Sequence, residues 1–303
     1  MSTPTGAPLP ALTNPRAERV RKVAQLSRRV GRERAGRFVA EGPQAVREAI
    51  AAHVSSGDVV LDLFATPDAA QRWSTELAAA HAAGLAVVLV ADDVLAAMTG
   101  TVTPQGLLAV CRLLDRPLDE VLDRALAVPA ERTTPLVAVL SHVRDPGNAG
   151  TVLRAADAAG AGAVVLTEAS VDVHNPKCVR ATAGSAFHLP VAQGPALVDV
   201  VSALRARGFV VLAADGAGEA DLDELQDAAE SDEGALLRRP TAWIFGNEAW
   251  GLSEEQRGLA DAVVRVPLRG GAESLNLAMA ATVCLYASSR AGRRLPSTRR
   301  ESR

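Results

Sequence analysis

Three short polar segments of this 303-residue chain contain side chains that could take part in chemistry. The segment "RDPGNAGTVLR" ends on Arg154, whose guanidinium is suited to binding a phosphate or a carboxylate. In "FGNEAWG", Glu248 could accept a hydrogen bond from a hydroxyl, an amine or an arginine. The segment "GGAESLN" brings Ser274 and Asn276 to the start of an Ala/Leu-rich run. Together these side chains indicate a site for a polar or anionic ligand.

Each segment also has a purely structural interpretation. Arg154 could form a surface ion pair with Asp157, three residues later. Glu248 could be a capping or turn carboxylate, and the third segment could be the ordinary start of a capped helix. The residues of any one segment do not decide between the two interpretations.

All three segments follow runs of apolar and β-branched residues that predict strands: "PLVAVL", "TAWIFG" and "AVVRVP". The helix after the first strand is predicted over 149–159, with Asn148 as its N-cap. The last helix is predicted over 274–290, with Ser274 as its N-cap. Asn276 would then lie in the first turn, where free backbone N–H groups favour anions. In open α/β sheets, ligands bind beyond the carboxyl ends of the strands, where all three segments would lie.

Strands and helices alternate along most of the chain, which is typical of α/β proteins. In the second half, near-continuous apolar strands, among them "FHLPV" at 187–191, predict a parallel sheet covered on both faces. In the first half, one helix is predicted over 67–83 and a basic amphipathic helix over 16–30. The predicted organisation is a disordered tail (1–15), a first domain (16–115), a linker with a short helix (116–133), a second domain (134–292) and a basic tail (293–303).

The positive charge is concentrated in two places although the net charge is −3. Residues 16–37 carry nine Arg and Lys against two Glu, and residues 290–303 carry six Arg against one Glu. Such clusters suit the phosphate backbone of a nucleic acid, although a solvated helix face and a disordered tail would have the same composition. The candidate RNA-binding residues are Arg21, Lys22, Arg28, Arg29 and Arg37.

The remaining composition excludes several classes of protein. Three widely spaced cysteines, Cys111, Cys178 and Cys284, form neither a metal motif nor a disulfide framework, and we expect them to be buried. The histidines are equally scattered, so no metal site is expected. No apolar run approaches the roughly 18 residues that a membrane span requires, and the first residues lack the pattern of a signal peptide. We expect a cytoplasmic protein.

Taken together, the three segments resemble the three motifs of the SpoU family of SPOUT RNA 2'-O-ribose methyltransferases. The resemblance covers about residues 134–290, and the segment from "RFVAEGPQAVREAI" to "TVTPQGLLAV" is similar to the L30e-like substrate-binding domain that often precedes it. The matching residues are Asn148, Gly150 and Arg154; Gly246, Asn247, Glu248 and Gly251; and Pro267, Ser274, Leu275 and Asn276.

The resemblance implies a parallel α/β sheet with a deep trefoil knot, a bound S-adenosylmethionine (AdoMet) and a homodimer formed through the second domain. It also implies that Arg154 acts as a base or activates the hydroxyl. Because a guanidinium with a pKa above 12 is a poor base, we expect Arg154 instead to position phosphate and stabilise the alkoxide, with the proton passing partly to Glu248 or water. Asn148, Ser274 and Asn276 would shape the pocket. The implied cofactor-binding residues are Ala214, Gly246, Asn247, Val266, Leu268, Ser274 and Leu275.

Several alternatives remain open at the level of sequence. Within the family, ribosomal RNA, and 23S rRNA in particular, is the preferred substrate because the L30e-like extension resembles ribosome-directed members. Transfer RNA is the alternative, and an enzyme that protects the ribosome from an antibiotic would have the same architecture. A non-catalytic RNA-binding protein of the same fold is a further alternative. A nucleotide-dependent oxidoreductase is disfavoured, because no G-x-G-x-x-G follows a first strand.

Overall fold

The computed structural model describes residues 12–99, 101, 103–127 and 134–293. Over these residues the chain forms two compact units. Unit 1 comprises the described residues of Met1–Leu114, Pro146–Arg154 and Val171–His188. Unit 2 comprises the described residues of Asp115–Asp145, Ala155–Ser170 and Leu189–Arg303. Residues 1–11, 128–133 and 294–303, which include most of the predicted tails and part of the predicted linker, lie outside the described residues.

Unit 1 contains a four-stranded sheet with the strand order β1-β4-β2-β3. Strand β4 is antiparallel to β1 and β2, and β2 is parallel to β3. The strands are β1 (Arg37–Glu41), β2 (Val60–Ala65), β3 (Val87–Leu89) and β4 (Leu107–Arg112). The helices up to residue 114 are α1 (Glu18–Ala24), α2 (Arg29–Ala35), α3 (Pro43–Ser56), α4 (Pro67–Arg72), α5 (Ser74–Ala82) and α6 (Asp92–Thr99).

The two faces of this sheet are covered by different helices. Phe38 belongs to a buried cluster with residues of α3 and α5. The next residue, Val39, belongs to a second cluster with residues of α1 and α6. This division follows from the two-residue repeat of a strand, which sends successive side chains to opposite faces.

The basic segment at 16–30 was predicted to be one helix. It forms α1 and the start of α2, which are separated by a 3₁₀ turn at Gln25–Ser27. Gly31 packs so closely on this turn that an added Cβ would lie 2.1 Å from the carbonyl oxygen of Gln25. The guanidinium of Arg32 donates to the carbonyl oxygens of Leu26 and Ser27, both at 2.9 Å. These contacts occupy carbonyl groups that a continuous helix would use, and they hold the chain in two short helices.

Unit 2 contains a seven-stranded parallel sheet with the strand order β7-β6-β5-β10-β8-β11-β9. The predicted parallel α/β sheet is therefore confirmed. Its strands are β5 (Leu136–Leu140), β6 (Ala163–Leu166), β7 (Val191–Gln193), β8 (Val210–Ala214), β9 (Ala220–Asp221), β10 (Thr241–Phe245) and β11 (Ala262–Arg265). The later helices are α7 (Leu118–Leu126), α8 (Pro146–Ala158), α9 (Pro176–Ala181), α10 (Leu197–Ala206), α11 (Leu222–Ser231), α12 (Glu254–Gly258) and α13 (Leu277–Ala291).

The short helix predicted within the linker is present as α7, and it packs into the core of unit 2. Val121 and Leu122 are fully buried in the same cluster as Val137 of β5. Gly162 lies so close to this helix that an added Cβ would be 2.7 Å from the Cα of Ala125. Part of the segment that we interpreted as a linker thus belongs to the core of the second unit.

Two further predictions about elements were wrong, and two elements were not predicted. The strand predicted at 187–191 begins only at Val191, because Ser185–Phe187 is a 3₁₀ turn and Pro190 has no N–H for a sheet ladder. The helix predicted over 67–83 is divided at Trp73. Strand β9 and helix α11 were not predicted; Asp221 starts the helix by accepting the N–H of Asp223 at 2.9 Å.

Candidate active site

A cavity of about 320 Å³ lies at the carboxyl ends of β8, β10 and β11 in unit 2. This is the edge of the sheet where the sequence predicts a ligand site. All seven predicted cofactor-binding residues line the cavity: Ala214, Gly246, Asn247, Val266, Leu268, Ser274 and Leu275. Two of the predicted catalytic residues, Glu248 and Ser274, also line it.

The wall after β10 is a tight turn that depends on two glycines. Asn247 and Gly251 exchange backbone hydrogen bonds at 3.0 and 2.9 Å. Gly251 has φ +67°, and a Cβ added to Gly246 would lie 2.5 Å from the carbonyl carbon of Gly251. Only glycine at position 246 permits so close an approach of the two backbone segments. The turn therefore places bare backbone at the cavity wall.

The side chain of Asn247 fixes this turn rather than facing solvent. Asn247 is buried, its Nδ2 donates to the carbonyl oxygen of His142 at 2.8 Å, and its Oδ1 accepts the N–H of Ala249 at 2.8 Å. Both hydrogen-bonding ends of the amide are thus used within unit 2. The contribution of Asn247 to the cavity is its position in the rigid turn.

Glu248 joins two of the polar loops. Its Oε1 accepts the backbone N–H of Asp145 at 3.1 Å and its Oε2 accepts that of Arg144 at 3.3 Å. Arg144 and Asp145 belong to the loop that follows β5, so this carboxylate connects the first polar segment with the second. These contacts agree with the structural interpretation of Glu248 as a turn carboxylate. Glu248 also lines the cavity, so it would lie beside a ligand that binds there.

The loop before α13 differs from the prediction in its capping residue. The helix begins at Leu277, and Asn276 is its N-cap, with its Oδ1 accepting the N–H of Ala278 at 2.9 Å. Ser274 is therefore not the N-cap, and Asn276 is not inside the first turn. Asparagine is as good an N-cap as serine. Ser274, which does not cap the helix, lines the cavity.

Asp215 is a lining residue that the sequence interpretation missed. Its Oδ1 accepts the N–H of Ala217 at 2.9 Å, and its Oδ2 lies 3.6 Å from the guanidinium of Arg257. The signal was present in "AADGAG", because Asp-Gly directly after the strand "FVVLA" is a turn sequence at a strand end. Glu273, Leu277 and Ala280 complete this side of the cavity.

The first motif lies on α8, and its described contacts are within unit 1. Asn148 was predicted to be the N-cap of this helix. The helix begins at Pro146, so Asn148 lies in its first turn instead. Gly150 packs on α9, where an added Cβ would be 2.4 Å from the carbonyl oxygen of Cys178. Arg154 is exposed. Neither Asn148 nor Arg154 is among the residues that line the cavity of unit 2.

The five candidate RNA-binding residues, Arg21, Lys22, Arg28, Arg29 and Arg37, are all exposed. Lys22 and Arg37 line a groove of about 410 Å³ in unit 1, together with Arg19 and Arg34. Asp62 is also in this groove and pairs with Arg19 at 2.5 Å. The groove therefore has more positive than negative side chains, as a phosphate-binding surface requires.

Arg32, which contributes to the basic segment in the sequence, has a structural position instead. It is 2% exposed, and its Nε and Nη2 donate to Asp172 Oδ2 at 2.8 and 2.6 Å. Burial alone would raise the pKa of the Asp172 carboxyl. Hydrogen bonds from His174 and Arg32 outweigh this effect and hold the pKa well below its usual value.

The three cysteines are buried, as predicted. Burial raises the pKa of the Cys284 thiol to about 12, so this thiol stays protonated at neutral pH. The described residues contain no group of three His, Cys, Asp or Glu side chains placed to hold a metal ion. No helix in the described ranges has both the length and the apolar character needed to span a bilayer.

Comparison with known proteins identifies both parts of the chain. Residues 135–286 match the model of the SpoU rRNA Methylase family, and residues 17–109 match that of the MRM3-like substrate binding domain. The 23S rRNA (guanosine(2553)-2'-O)-methyltransferase RlmP of Bacillus subtilis (strain 168) is 30% identical over 89% of this chain and 95% of its own length.

Two solved structures resemble the whole fold. The AdoMet-bound rRNA methyltransferase from Sinorhizobium meliloti has a TM-score of 0.74 and 29% identity, and the match covers 92% of this chain and 97% of that one. The SpoU methyltransferase AviRb from Streptomyces viridochromogenes, in complex with the cofactor AdoMet, has a TM-score of 0.72 and 31% identity, with 90% and 98% coverage.

Proposed function

Because the chain belongs to the SpoU rRNA Methylase family, we propose that it transfers a methyl group from AdoMet to a ribose 2'-hydroxyl of 23S ribosomal RNA. One observation carries the proposal more than any other. The second and third polar segments, with the loop after β8, surround a single cavity, and the seven residues implied as the cofactor site all line it. The relatives named above support ribosomal RNA as the substrate.

The cavity fits AdoMet in its chemistry. The turn from Gly246 to Gly251 places backbone groups at the cavity wall, where a polar ligand can bind, and Val266, Leu268 and Leu275 supply apolar surface for an adenine ring. Leu268 and Leu275 are 41% and 39% exposed, so a bound ring would cover apolar surface that now faces solvent. When bound, AdoMet supplies an electrophilic methyl group.

The residues of the chain have three tasks in this reaction. They must align the ribose oxygen, allow its proton to leave and stabilise the charge that develops on the oxygen. We assign the alignment of the RNA and the stabilisation of the alkoxide to Arg154, because a guanidinium binds phosphate and oxyanions but is a poor base. Asn148 would orient the same region of α8.

Glu248 has a different assignment from the one in the sequence interpretation. Both of its oxygens already accept backbone N–H groups from the loop that precedes α8. We therefore assign it the placement of that loop, and we assign the release of the proton to water. Ser274 remains a cavity residue, and Asn276 acts by setting the start of α13.

We also propose the homodimer. The side chains of Met279, Val283 and Tyr286 are 58, 42 and 49% exposed, and their spacing places them on one face of α13. An exposed apolar stripe of this kind is suited to a second copy of the same helix. Substituting Met279 and Val283 together by Asp should yield a monomer in sedimentation velocity; a persistent dimer would exclude this face as the interface.

Two further features belong to the same proposal. The order of the sheet, in which the late strand β10 lies between β5 and β8, supports a trefoil knot in which the C-terminal segment passes through a loop. The ribosomal RNA named for the relatives supports a cytoplasmic location. The exposed cations of unit 1 would bind RNA phosphates, which fix register without specifying sequence.

The test is methyl transfer from radiolabelled AdoMet to unmodified 23S rRNA and, separately, to unmodified tRNA. Label on 23S rRNA that maps to a ribose 2'-oxygen is the expected result. Label on tRNA would retain the chemistry and overturn the substrate. AdoMet binding in calorimetry without transfer to either RNA, or to assembled ribosomal particles, would favour a non-catalytic RNA-binding protein.

A further inference from the structure

Trp250 is an exposed aromatic residue in a protein that has few of them. The chain contains three Trp, one Tyr and five Phe in 303 residues. Trp243 is fully buried, whereas Trp250 is 55% exposed. A single exposed apolar side chain is common on protein surfaces and needs no explanation by itself. The position of Trp250 and its contact with Arg144 make it different.

Trp250 is held by the turn that forms the cavity wall. Its neighbours on both sides, Ala249 and Gly251, line the cavity proposed for AdoMet. The turn is closed by the paired backbone hydrogen bonds between Asn247 and Gly251. The indole is therefore presented from a rigid backbone directly beside the cavity, and its ordering costs little on binding.

Arg144 stacks on the indole. The guanidinium carbon lies 5.3 Å from the centre of the Trp250 ring, within the range of a cation–π contact. The backbone N–H of Arg144 is in turn held by Glu248 at 3.3 Å. Both members of the pair are thus fixed by residues of the second motif, and the pair combines an aromatic plane with a positive charge.

We infer that Trp250 and Arg144 form a stacking surface for an unpaired base of the substrate RNA, at or next to the nucleotide whose ribose is methylated. This inference rests on the proposed function. A methylated ribose has to reach the cavity, and the turn that carries Trp250 forms one wall of this cavity, so the indole lies where a base at or near that ribose can stack. Proteins bind unstacked RNA bases on aromatic rings and on guanidinium planes, and this pair supplies both.

The assigned role concerns RNA binding and not the AdoMet site. Trp250 is absent from the lining of the cavity, although its neighbours are present in it. Its removal should therefore weaken RNA binding and leave AdoMet binding unaffected. A phenylalanine retains a ring at the same place and should substitute for it, whereas an alanine should not.

The test compares Trp250→Ala, Trp250→Phe and Arg144→Ala in the full-length protein. A labelled RNA fragment that contains the mapped methylation site is titrated by fluorescence anisotropy, and AdoMet is titrated by calorimetry. We expect Trp250→Ala to weaken RNA binding about tenfold or more and to raise the KM for RNA with little change in kcat. Trp250→Phe should stay within about threefold of wild type, and Arg144→Ala should show a smaller loss than Trp250→Ala.

Arg124→Ala is the matched control for charge, because Arg124 is exposed and paired with Glu120 on α7 at 2.9 Å. It should bind RNA as the wild type does. An abasic nucleotide placed in turn at the mapped position and at each neighbour identifies the stacked base. With the abasic nucleotide at that position, the RNA should bind the wild type more weakly than the intact RNA does. Trp250→Ala should bind the abasic and the intact RNA equally well.

Two results would overturn the inference: unchanged RNA affinity in Trp250→Ala, or an equal loss of AdoMet and RNA affinity, which would make Trp250 a support of the cavity. Failure of the proposed function has a separate signature. In that case the wild type transfers no methyl group and no methylation site is mapped, and the dependence of binding on Trp250 is measured with unmodified 23S rRNA in place of the fragment.

Discussion

The Oε1 of Glu248 accepts the backbone N–H of Asp145 at 3.1 Å, so the carboxylate that follows β10 holds the loop that follows β5. Pro146, the next residue, begins the helix that carries Arg154. The glutamate of the second motif thus acts on the backbone leading to the arginine of the first. Two loops of unit 2 that are about a hundred residues apart in sequence are connected by one side chain.

This role predicts different outcomes for two substitutions of Glu248. Glu248→Gln keeps one acceptor oxygen and should retain methyl transfer within about tenfold. Glu248→Ala removes both acceptors and should lose more activity, together with about 1 kcal/mol of stability. Single-turnover rates at saturating AdoMet and RNA are the measurement. If Glu248 were the proton acceptor, Gln and Ala would be equally inactive.

Gly246 predicts a steric effect on the cavity. A Cβ at this position would lie 2.5 Å from backbone of Gly251, so Gly246→Ala should lower stability by about 1–3 kcal/mol and weaken AdoMet binding at least tenfold. Gly258→Ala is the control, because an added Cβ at Gly258 meets nothing within 4 Å. Calorimetry with AdoMet and urea unfolding separate the two effects. Normal AdoMet affinity in Gly246→Ala would place the cofactor elsewhere.

Arg154→Ala should reduce methyl transfer at least a hundredfold while AdoMet affinity stays within a few-fold. The reason is that the cavity proposed for AdoMet does not include Arg154, whereas the developing alkoxide requires a positive donor. Arg154→Lys retains the charge without the planar fork, and its rate of methyl transfer should lie between those of the wild type and Arg154→Ala. Wild-type turnover in Arg154→Ala would remove this residue from the reaction.

Stability should depend on pH through Asp172. The pKa of this carboxyl is lower in the folded than in the unfolded chain, so its contribution is present above the unfolded value of about 3.9 and is lost as pH falls through the folded value. Asp172→Asn should cost about 3–5 kcal/mol at pH 7, because it leaves Arg32 buried without a counter-charge. Below about pH 4 the difference in free energy of unfolding between the wild type and Asp172→Asn should become smaller. A constant difference in melting temperature from pH 7 to pH 3 would contradict this account.

The exposed cations of unit 1 predict a salt-dependent affinity for RNA. Changing Arg21, Lys22, Arg28, Arg29 and Arg37 together to Gln should weaken binding and flatten the dependence of log K on log salt. The slope should fall by about 0.7 for each RNA phosphate that these side chains no longer neutralise. Arg112→Gln, at an exposed ion pair with Asp58, is a control for the removal of a charge. An unchanged salt slope in the fivefold variant would show that these side chains are solvated surface.

Much of the candidate site could be predicted because the local sequence determines where the strands end and which polar residues follow them. The runs ending at Leu140, Phe245 and Arg265 are strands because they are apolar and β-branched, and the polar residues after them must lie at one edge of a parallel sheet. The glycine at position 246 similarly signals a close backbone approach. The resemblance to a known family then assigned the ligand to this edge.

The parts that could not be predicted depend on choices between near-equal local signals or on distant contacts. Ser274 and Asn276 are both good N-caps two residues apart, and the sequence does not show which one starts the helix. The break between α1 and α2 depends on Arg32, which is held by Asp172, 140 positions later in the chain. Local pattern contains no information about such a partner.

The pairing of Arg32 with Asp172 also has a consequence for biosynthesis. Unit 1 takes its first residues from the start of the chain, but the carboxylate that neutralises its buried arginine is translated only after β5 and β6 of the other unit. Until then, folding of the N-terminal region would bury a cation without its counter-charge, which would cost several kcal/mol. We therefore expect the N-terminal region to reach its folded state only after Asp172 has been synthesised, and a fragment that ends near residue 115 to be less stable because it lacks this acid.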